Sequence, residues 1–456
     1  MAGTMKFNWL TQRSLDRADF PASGQAPDLT GRHHLWRQAK LLETIEWAAA
    51  NSPFYQERLS PHAVKTLKEA ISDLKAEELW RALASLPLTR PEDLAADSLA
   101  FLAVGQDEVE GIVSVSTSGT SGRTKRIFST VGDMAETIVF FEYGMRILVA
   151  PGRDRVALAM SPARPGNVGD LLGRALERWR IPFTSVGFVP ANEGGENRWL
   201  EDLAAWRPTC LVGVPPQMLA LSRHEKAPLL KDLRSMLLSG DVAEGRLVEE
   251  LEKNFPACRV YRHYGLTECG LGGAVECEQR DWPHLRDDLW VEIIGPDGRP
   301  LPPGTDGEIV ITPLTRRGQP LLRYRTGDEG LIMPEACTCG TLSPRLKIYG
   351  RLNDRVFHQG PLTLRTADFE APLLKLNFVR DYDLVLGADG GLEIIISPAG
   401  EPPPQAEELA TAQVNEWLSS NGAALSCQVS IARPAGQKKS PSRASGGKRR
   451  LIRQKI

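Results

Sequence analysis

The sequence predicts an α/β protein: a large N-terminal part of several subdomains, α/β layers plus an antiparallel β subdomain, then a small, mobile α+β domain at the C-terminus. Three observations predict it. Helical stretches alternate with short apolar runs from residue 60 to about 270. The texture changes to β segments with Gly-rich turns between about 288 and 333. After Gly350 a hairpin, a helix and an alternating strand occupy the last 100 or so residues. At 456 residues the chain is about three times a typical domain of roughly 150, so more than one folding unit is expected.

Near the N-terminus, Leu35, Ala39, Leu42, Ile45 and Ala49 recur at helical spacing until Asn51-Ser52-Pro53 breaks the pattern. The α/β stretch holds helices such as Gly245 to Asn254 and buried strands such as Val156 to Met160 and Cys210 to Val214. Antiparallel sheet is expected from Val291-Glu292-Ile293, the turn Gly295-Pro296-Asp297-Gly298, and Glu308 to Thr312. The last domain places Leu384 to Leu386 and Leu392 to Ile396 around the turn Asp389-Gly390-Gly391. A helix with Ala410, Val414, Trp417 and Leu418 follows, then alternating Leu425, Cys427, Val429 and Ile431. The tail from Lys438 to Lys455 is basic, without an acid, and is expected to be solvated and mobile.

Hydrophobic residues at 42% and charged residues at 25% exclude a disordered or collagenous chain. A formal charge of -2 gives no nucleic-acid or membrane footprint. No apolar stretch approaches the roughly 18 residues that span a bilayer, and no signal-peptide core precedes Thr11-Gln12-Arg13. A cytoplasmic protein is expected. Seven scattered cysteines favour thiols or metal ligands over a disulfide framework.

The most informative segment runs from Ile112 to Lys125: an alternating strand entering a loop dense in glycine and hydroxyls. Gly119 and Gly122 let backbone N–H groups approach phosphate oxygens. Thr117, Ser118, Thr120 and Ser121 add donors, and Lys125 adds positive charge. The Walker spacing is absent, and Ile127 to Thr130 continues as strand. Tyr264-Gly265-Leu266-Thr267-Glu268 offers an aromatic face, a close approach, a hydroxyl and a carboxylate that a nucleotide with its metal would use. Arg323 to Asp328 ends in a carboxylate able to accept from both hydroxyls of a ribose. Cys277, His284, Cys337 and Cys339 make a closed tetrahedral set of three thiolates and one imidazole for structural Zn²⁺.

Ser116 to Lys125, Tyr264 to Glu268, Tyr324 to Asp328 and Gly350-Arg351-Leu352-Asn353-Asp354, in this order, resemble the motif set of the adenylate-forming (AMP-binding) acyl-CoA synthetases. Asn51 to Tyr55, Leu86 to Thr89 and Cys337-Thr338-Cys339-Gly340 resemble the phenylacetate-CoA ligase group, which carries similar zinc-type residues. The resemblance implies an adenylation domain over 1–349 and a C-terminal lid over 350–456. It implies ATP, Mg²⁺ and CoA as cofactors and co-substrates, and a small carboxylic acid, aromatic or arylacetic, as partner. A homodimer is left open.

By the same resemblance, Thr117 to Gly122 and Lys125 hold the β- and γ-phosphates, and Glu268 helps hold Mg²⁺. Tyr264 lies against adenine and Thr267 near the α-phosphate. Asp328 takes the ribose, Ser239-Gly240-Asp241 line the adenine pocket, and Arg351 sits in the hinge. The acyl pocket is expected near Phe140, Phe141, Tyr143, Gly213, Val214, Pro215 and Gly240. Lys448 follows Gly447 and stands for the family's adenylation lysine, which bridges the attacking carboxylate and the α-phosphate. Two departures stand out: Asn353 where Asp is common, and Leu451 where the lysine motif has Arg. They motivate two rival readings, an adenylyltransferase without CoA transfer, of the deazaflavin-cofactor type, and a catalytically degenerate zinc-stabilised nucleotide-binding protein.

Overall fold

A computed structural model describes residues 9–17, 28–72, 76–116, 124–160, 165–190, 193–359, 362–388, 390–432 and 451–453. Contacts divide the chain into two compact units. The first comprises Met1–Ile147, Ala163–Arg180 and His263–Ile348; the second comprises Leu148–Pro162, Ile181–Arg262 and Tyr349–Ile456.

In the first unit the long helix Leu29–Asn51 starts where the Asp28 carboxylate accepts the Gly31 N–H at 2.6 Å, and Pro53 opens the next helix, Pro53–Arg58. Its buried face differs from the expected stripe. Trp36, Leu41, Ile45 and Ala48 are buried, whereas Ala39 is exposed. The partner segment decides this: Thr44 and Trp47 donate to the carbonyls of Leu314 and Arg317 at 2.7 and 3.0 Å, turning their side of the helix inward. The expected α/β alternation also starts later than residue 60. Pro61–Ser72, Ala76–Ser85 and Pro91–Ala96 are all helices, and the strands that follow, Gly111–Ser116 and Thr124–Ser129, form an antiparallel pair. The predicted antiparallel subdomain is present as Leu289–Ile294, Gly307–Pro313, Tyr324–Ile332 and the strand starting at Leu346, neighbours in that order. Its core holds Leu289, Val291, Ile309, Ile311 and Leu346.

The second unit carries the parallel strands Phe183–Ser185, Val156–Ala159, Cys210–Gly213 and Ser235–Leu238, with Arg259–Tyr264 pairing next through its residues 259–262. Val156–Ala159, Cys210–Gly213 and Ser235–Leu238 are buried along their length, which is why they read as unbroken apolar runs. Residues after 350 follow the predicted order: Val379–Leu386 and Leu392–Pro398 antiparallel, helix Ala406–Ser420, and Cys427–Ile431. Arg223 ties them to the rest of this unit by donating to the Leu374 and Leu376 carbonyls at 2.9 and 3.1 Å, and Arg380 pairs with Glu196 at 2.8 Å. The end of the basic tail is not solvated coil. Leu451–Arg453 adds a parallel strand beside Leu384 to Leu386, because Leu451 and Ile452 suit a sheet edge better than their cationic neighbours do. No helix among the described residues is long and apolar enough to cross a membrane, and none of the seven cysteines is in a disulfide.

Candidate active site

Two short segments of the first unit bring the sequence motifs together. At Gly265 a β-carbon would lie 1.9 Å from the Leu271 carbonyl oxygen, so only glycine lets the chain fold back as it does, with Leu271 N–H bonding Leu266 O at 2.7 Å. This return sets Thr267–Cys269 in a 3₁₀ turn. On the other segment Tyr324 pairs with Ile311 and bridges to Thr89. A bulge opposite Glu308 to Val310 and a left-handed Gly327, φ 72°, shape the chain at Asp328, whose N–H bonds Thr326 Oγ1 at 3.0 Å. The Tyr264 hydroxyl then donates to Asp328 Oδ2 at 2.8 Å. An aromatic ring and a buried carboxylate thus stand side by side, the pair of surfaces an adenosine needs.

Lys125 alternates inward with Ile127 on Thr124–Ser129 and is buried beside Glu268, itself only 6% exposed. Its ammonium donates to Glu268 Oε1 and, at 3.0 Å, to the Tyr324 hydroxyl. That hydroxyl donates in turn to Glu268 Oε1 at 2.9 Å. Burial pushes the Glu268 carboxyl up, but the Lys125 charge and the donors from Lys125 and Tyr324 more than reverse it, leaving it below the ordinary carboxylate value. A charged carboxylate and an ammonium held this way can exchange partners, the first for a hard cation and the second for a phosphate.

The cysteine and histidine candidates converge as well. The four ligand atoms of Cys277, His284, Cys337 and Cys339 lie within 4.8 Å of one another. Tetrahedral zinc with bonds of about 2.3 Å to sulfur and about 2.0–2.1 Å to nitrogen separates two sulfurs by about 3.8 Å and a sulfur from a nitrogen by about 3.5 Å. Cys277 and Cys337 are 3.8 Å apart, and Cys339 Sγ lies 3.4 Å from His284 Nε2. His284 Nδ1 sits 2.8 Å from the Ser343 carbonyl, which requires the proton on Nδ1 and turns the Nε2 lone pair toward the thiols. A hydrogen bond from Cys277 draws the Cys339 thiol well down, while the Cys277 thiol is pushed up by its bond to Cys339 and by burial. The donor set fits a structural Zn²⁺.

Residues 112–313 match the family model described as AMP-binding enzyme. They are an AMP-binding domain. The chain is also 28% identical to the phenylacetate-coenzyme A ligase of Thermus thermophilus over 78% of its length and 79% of that protein's. It is 26% identical to the phenylacetate-coenzyme A ligase of Aromatoleum evansii, covering 82% and 85%. Among solved structures, a 2-hydroxyisobutyryl-CoA ligase in the postadenylation state with R3-HIB-AMP superposes with a TM-score of 0.73 at 20% identity, covering 92% of this chain and 89% of the other. This likeness establishes the acyl-CoA ligase fold for the chain.

Within the AMP-binding domain, Thr117, Ser118, Gly119, Thr120, Ser121 and Gly122 lie outside the described residues, as does Lys448 beyond it. Thr267 opens the turn that carries Glu268. Ser239, Gly240 and Asp241 belong to the second unit and follow the parallel strand Ser235–Leu238, at the carboxyl edge where α/β sheets bind ligands; Ser239 N–H bonds Gly213 O at 3.0 Å and Gly240 is left-handed. Arg351 is exposed at the end of Leu346–Arg351. Of the acyl-pocket candidates, Phe140 and Phe141 pack around half-buried His263 at ring separations of 6.4 and 6.3 Å, and Gly272 presses on Phe140. Cys269, next to Glu268, is buried and donates to Leu266 O at 3.2 Å, and burial pushes its thiol up to about 11. The residue the sequence reading passed over is Tyr324. Its signal was present, since period-two alternation puts 324, 326 and 328 on one face of a strand.

Proposed function

We propose that the protein is an ATP-dependent, AMP-forming ligase that joins a small carboxylic acid to CoA, with aromatic or arylacetic acids as the substrate class. The observation that carries this reading is the double pairing of Tyr264 with Asp328 and of Glu268 with Lys125. The named relatives, phenylacetate-coenzyme A ligases over about four-fifths of the chain, support the substrate class and the acceptor.

A carboxylate oxygen of the acid attacks the α-phosphorus of ATP, and the bond to pyrophosphate breaks. The CoA sulfur, its proton lost, then attacks the acyl carbon and AMP leaves. Tyr264 stacks on adenine, and Asp328 accepts from the ribose hydroxyls. Thr117 to Gly122 and Lys125 hold the β- and γ-phosphates, and Thr267 lies near the α-phosphate. Mg²⁺ held with Glu268 would supply a Lewis acid that offsets phosphate charge. Lys448 bridges the attacking carboxylate and the α-phosphate, and residues 350–456 act as a lid on an adenylation domain of 1–349, with Arg351 at the hinge. Zn²⁺ on Cys277, His284, Cys337 and Cys339 would serve structure alone, joining the loop around 337–339 to the strand His284–Leu285.

The test is acid-dependent exchange of labelled pyrophosphate into ATP across aliphatic, arylacetic and benzoic acids, then thioester formation with CoA, using protein whose zinc content has been measured. Exchange with an arylacetic acid, loss of it by at least about a hundredfold in Lys448→Ala, and one zinc per chain are expected. No exchange with any acid would defeat the reading, and unchanged exchange in Lys448→Ala would remove that lysine from the chemistry.

A further inference from the structure

Among the buried groups of the first unit, the Tyr324 hydroxyl is placed where two reacting partners must part. It lies 3.0 Å from the Lys125 ammonium and 2.9 Å from Glu268 Oε1, on a side chain that is 1% exposed. Its backbone is fixed independently of both: Tyr324 pairs with Ile311, bridges to Thr89, and follows a Leu322 whose N–H is held by the Tyr55 hydroxyl at 2.7 Å. Lys125 and Glu268, by contrast, come from two other segments and meet each other directly. Resting on the ligase reading, Mg·ATP requires that pair to separate, the ammonium moving to phosphate and the carboxylate to the metal. The moment Lys125 leaves, Glu268 loses its nearest cation and would be free to swing.

We propose that Tyr324 is a positioning residue for magnesium: its hydroxyl, anchored in the sheet, keeps the Glu268 carboxylate in place while Lys125 transfers from that carboxylate to the nucleotide phosphates. The hydroxyl suits this role because it both donates to the carboxylate and accepts from the ammonium, so it stays paired with whichever group remains. A phenylalanine would keep the packing and lose both bonds. The requirement is for a donor rather than a charge, which leaves the carboxylate fully anionic for the cation.

The experiment is a calorimetric titration of the full-length protein with Mg²⁺ in the presence of α,β-methylene-ATP, which cannot transfer its adenylyl group, alongside pyrophosphate exchange at varied Mg²⁺. Tyr324→Phe should raise half-saturating Mg²⁺ about tenfold in both assays. Thr44→Val, which removes a buried hydroxyl bonded to the Leu314 carbonyl rather than to Lys125 or Glu268, should leave it unchanged. In a Glu268→Gln background the Tyr324→Phe shift should vanish. A Tyr324→Phe protein that melts lower yet keeps wild-type Mg²⁺ dependence would overturn the assignment. Should that variant not fold, Lys125→Met decides: with the competing ammonium gone and Glu268 held by Tyr324, Mg²⁺ should bind more tightly, and weaker binding would overturn the assignment. Failure of the wild type to exchange pyrophosphate would instead strike the ligase reading itself.

Discussion

Two buried charge clusters of the first unit contrast in how completely they are closed. Around Asp288, three guanidiniums converge: Arg13, Arg17 and Arg286 all pair with its carboxylate, which also accepts from Thr315 at 2.8 Å. Neighbouring Asp287 and Glu136 share Arg13 and Arg17. Burial pushes the Asp288 carboxyl up, and the charges of Arg13, Arg286 and Arg17 hold it well below the ordinary range. The Lys125–Glu268 cluster has one cation, one anion and one hydroxyl. The first joins three guanidiniums to three carboxylates that compensate one another, and its Arg13, Arg17 and Glu136 also line a cavity. The second is small enough to open, and its cation is the one that follows the phosphate-type loop. The two thus differ in how many partners must be replaced before a charge is released: several around Asp288, few around Glu268.

The largest effect should come from breaking the closed cluster. Asp288→Ala leaves three buried guanidiniums under-compensated and should cost about 3–5 kcal/mol in urea denaturation. Pyrophosphate exchange per folded molecule should stay near the wild-type rate. A variant that loses exchange but keeps its stability would erase the distinction drawn between the clusters.

The reverse behaviour is expected of the open cluster. Lys125→Met combined with Glu268→Gln removes both charges together and should change stability by no more than about 1 kcal/mol. Exchange should fall by about 10²–10³, read as initial rate at saturating ATP and acid. If the double variant is strongly destabilised while exchange per folded molecule stays normal, the pair is structural.

The most gradual effect concerns pH. Burial, with smaller contributions from Arg37, His34 and Arg17, lowers the His33 imidazole to about 3 from the ordinary 6.5. Above the unfolded value both states are neutral and the histidine contributes nothing. As pH falls below about 6.5 the unfolded chain takes up a proton that the folded chain refuses, so stability is lost progressively down to about pH 3, by at most about 1.4 kcal/mol per pH unit. His33→Gln should flatten denaturation midpoints between pH 6 and 4, and an unaltered slope would place the acid sensitivity elsewhere, for instance at His263, which burial lowers to about 4.

Much of this was legible in the residues themselves. Lys125, Tyr264, Glu268 and Asp328 were each picked out by chemical type and local spacing, and they meet in pairs. The four zinc-type ligands were likewise legible, because cysteine and histidine have few other reasons to gather. The helix Leu29–Asn51 shows the other case. Its extent followed from spacing and from Asn51-Ser52-Pro53, but apolar side chains occupy adjacent stripes, and only the contact with residues 314–317 selected Trp36, Leu41, Ile45 and Ala48 for the interior.

Sequence by itself determined the order of elements, the apolar runs that become parallel strands, and the chemical types present at the site, since these depend on local pattern and on functional groups that any packing must respect. Tertiary structure alone decided which of those groups touch. Lys125 and Glu268 are separated by 143 residues and meet over the hydroxyl of Tyr324, a residue whose chemistry is ordinary until a sheet register places it between them. Pairing at that distance is set by the packing of whole elements, and no spacing rule along the chain encodes it.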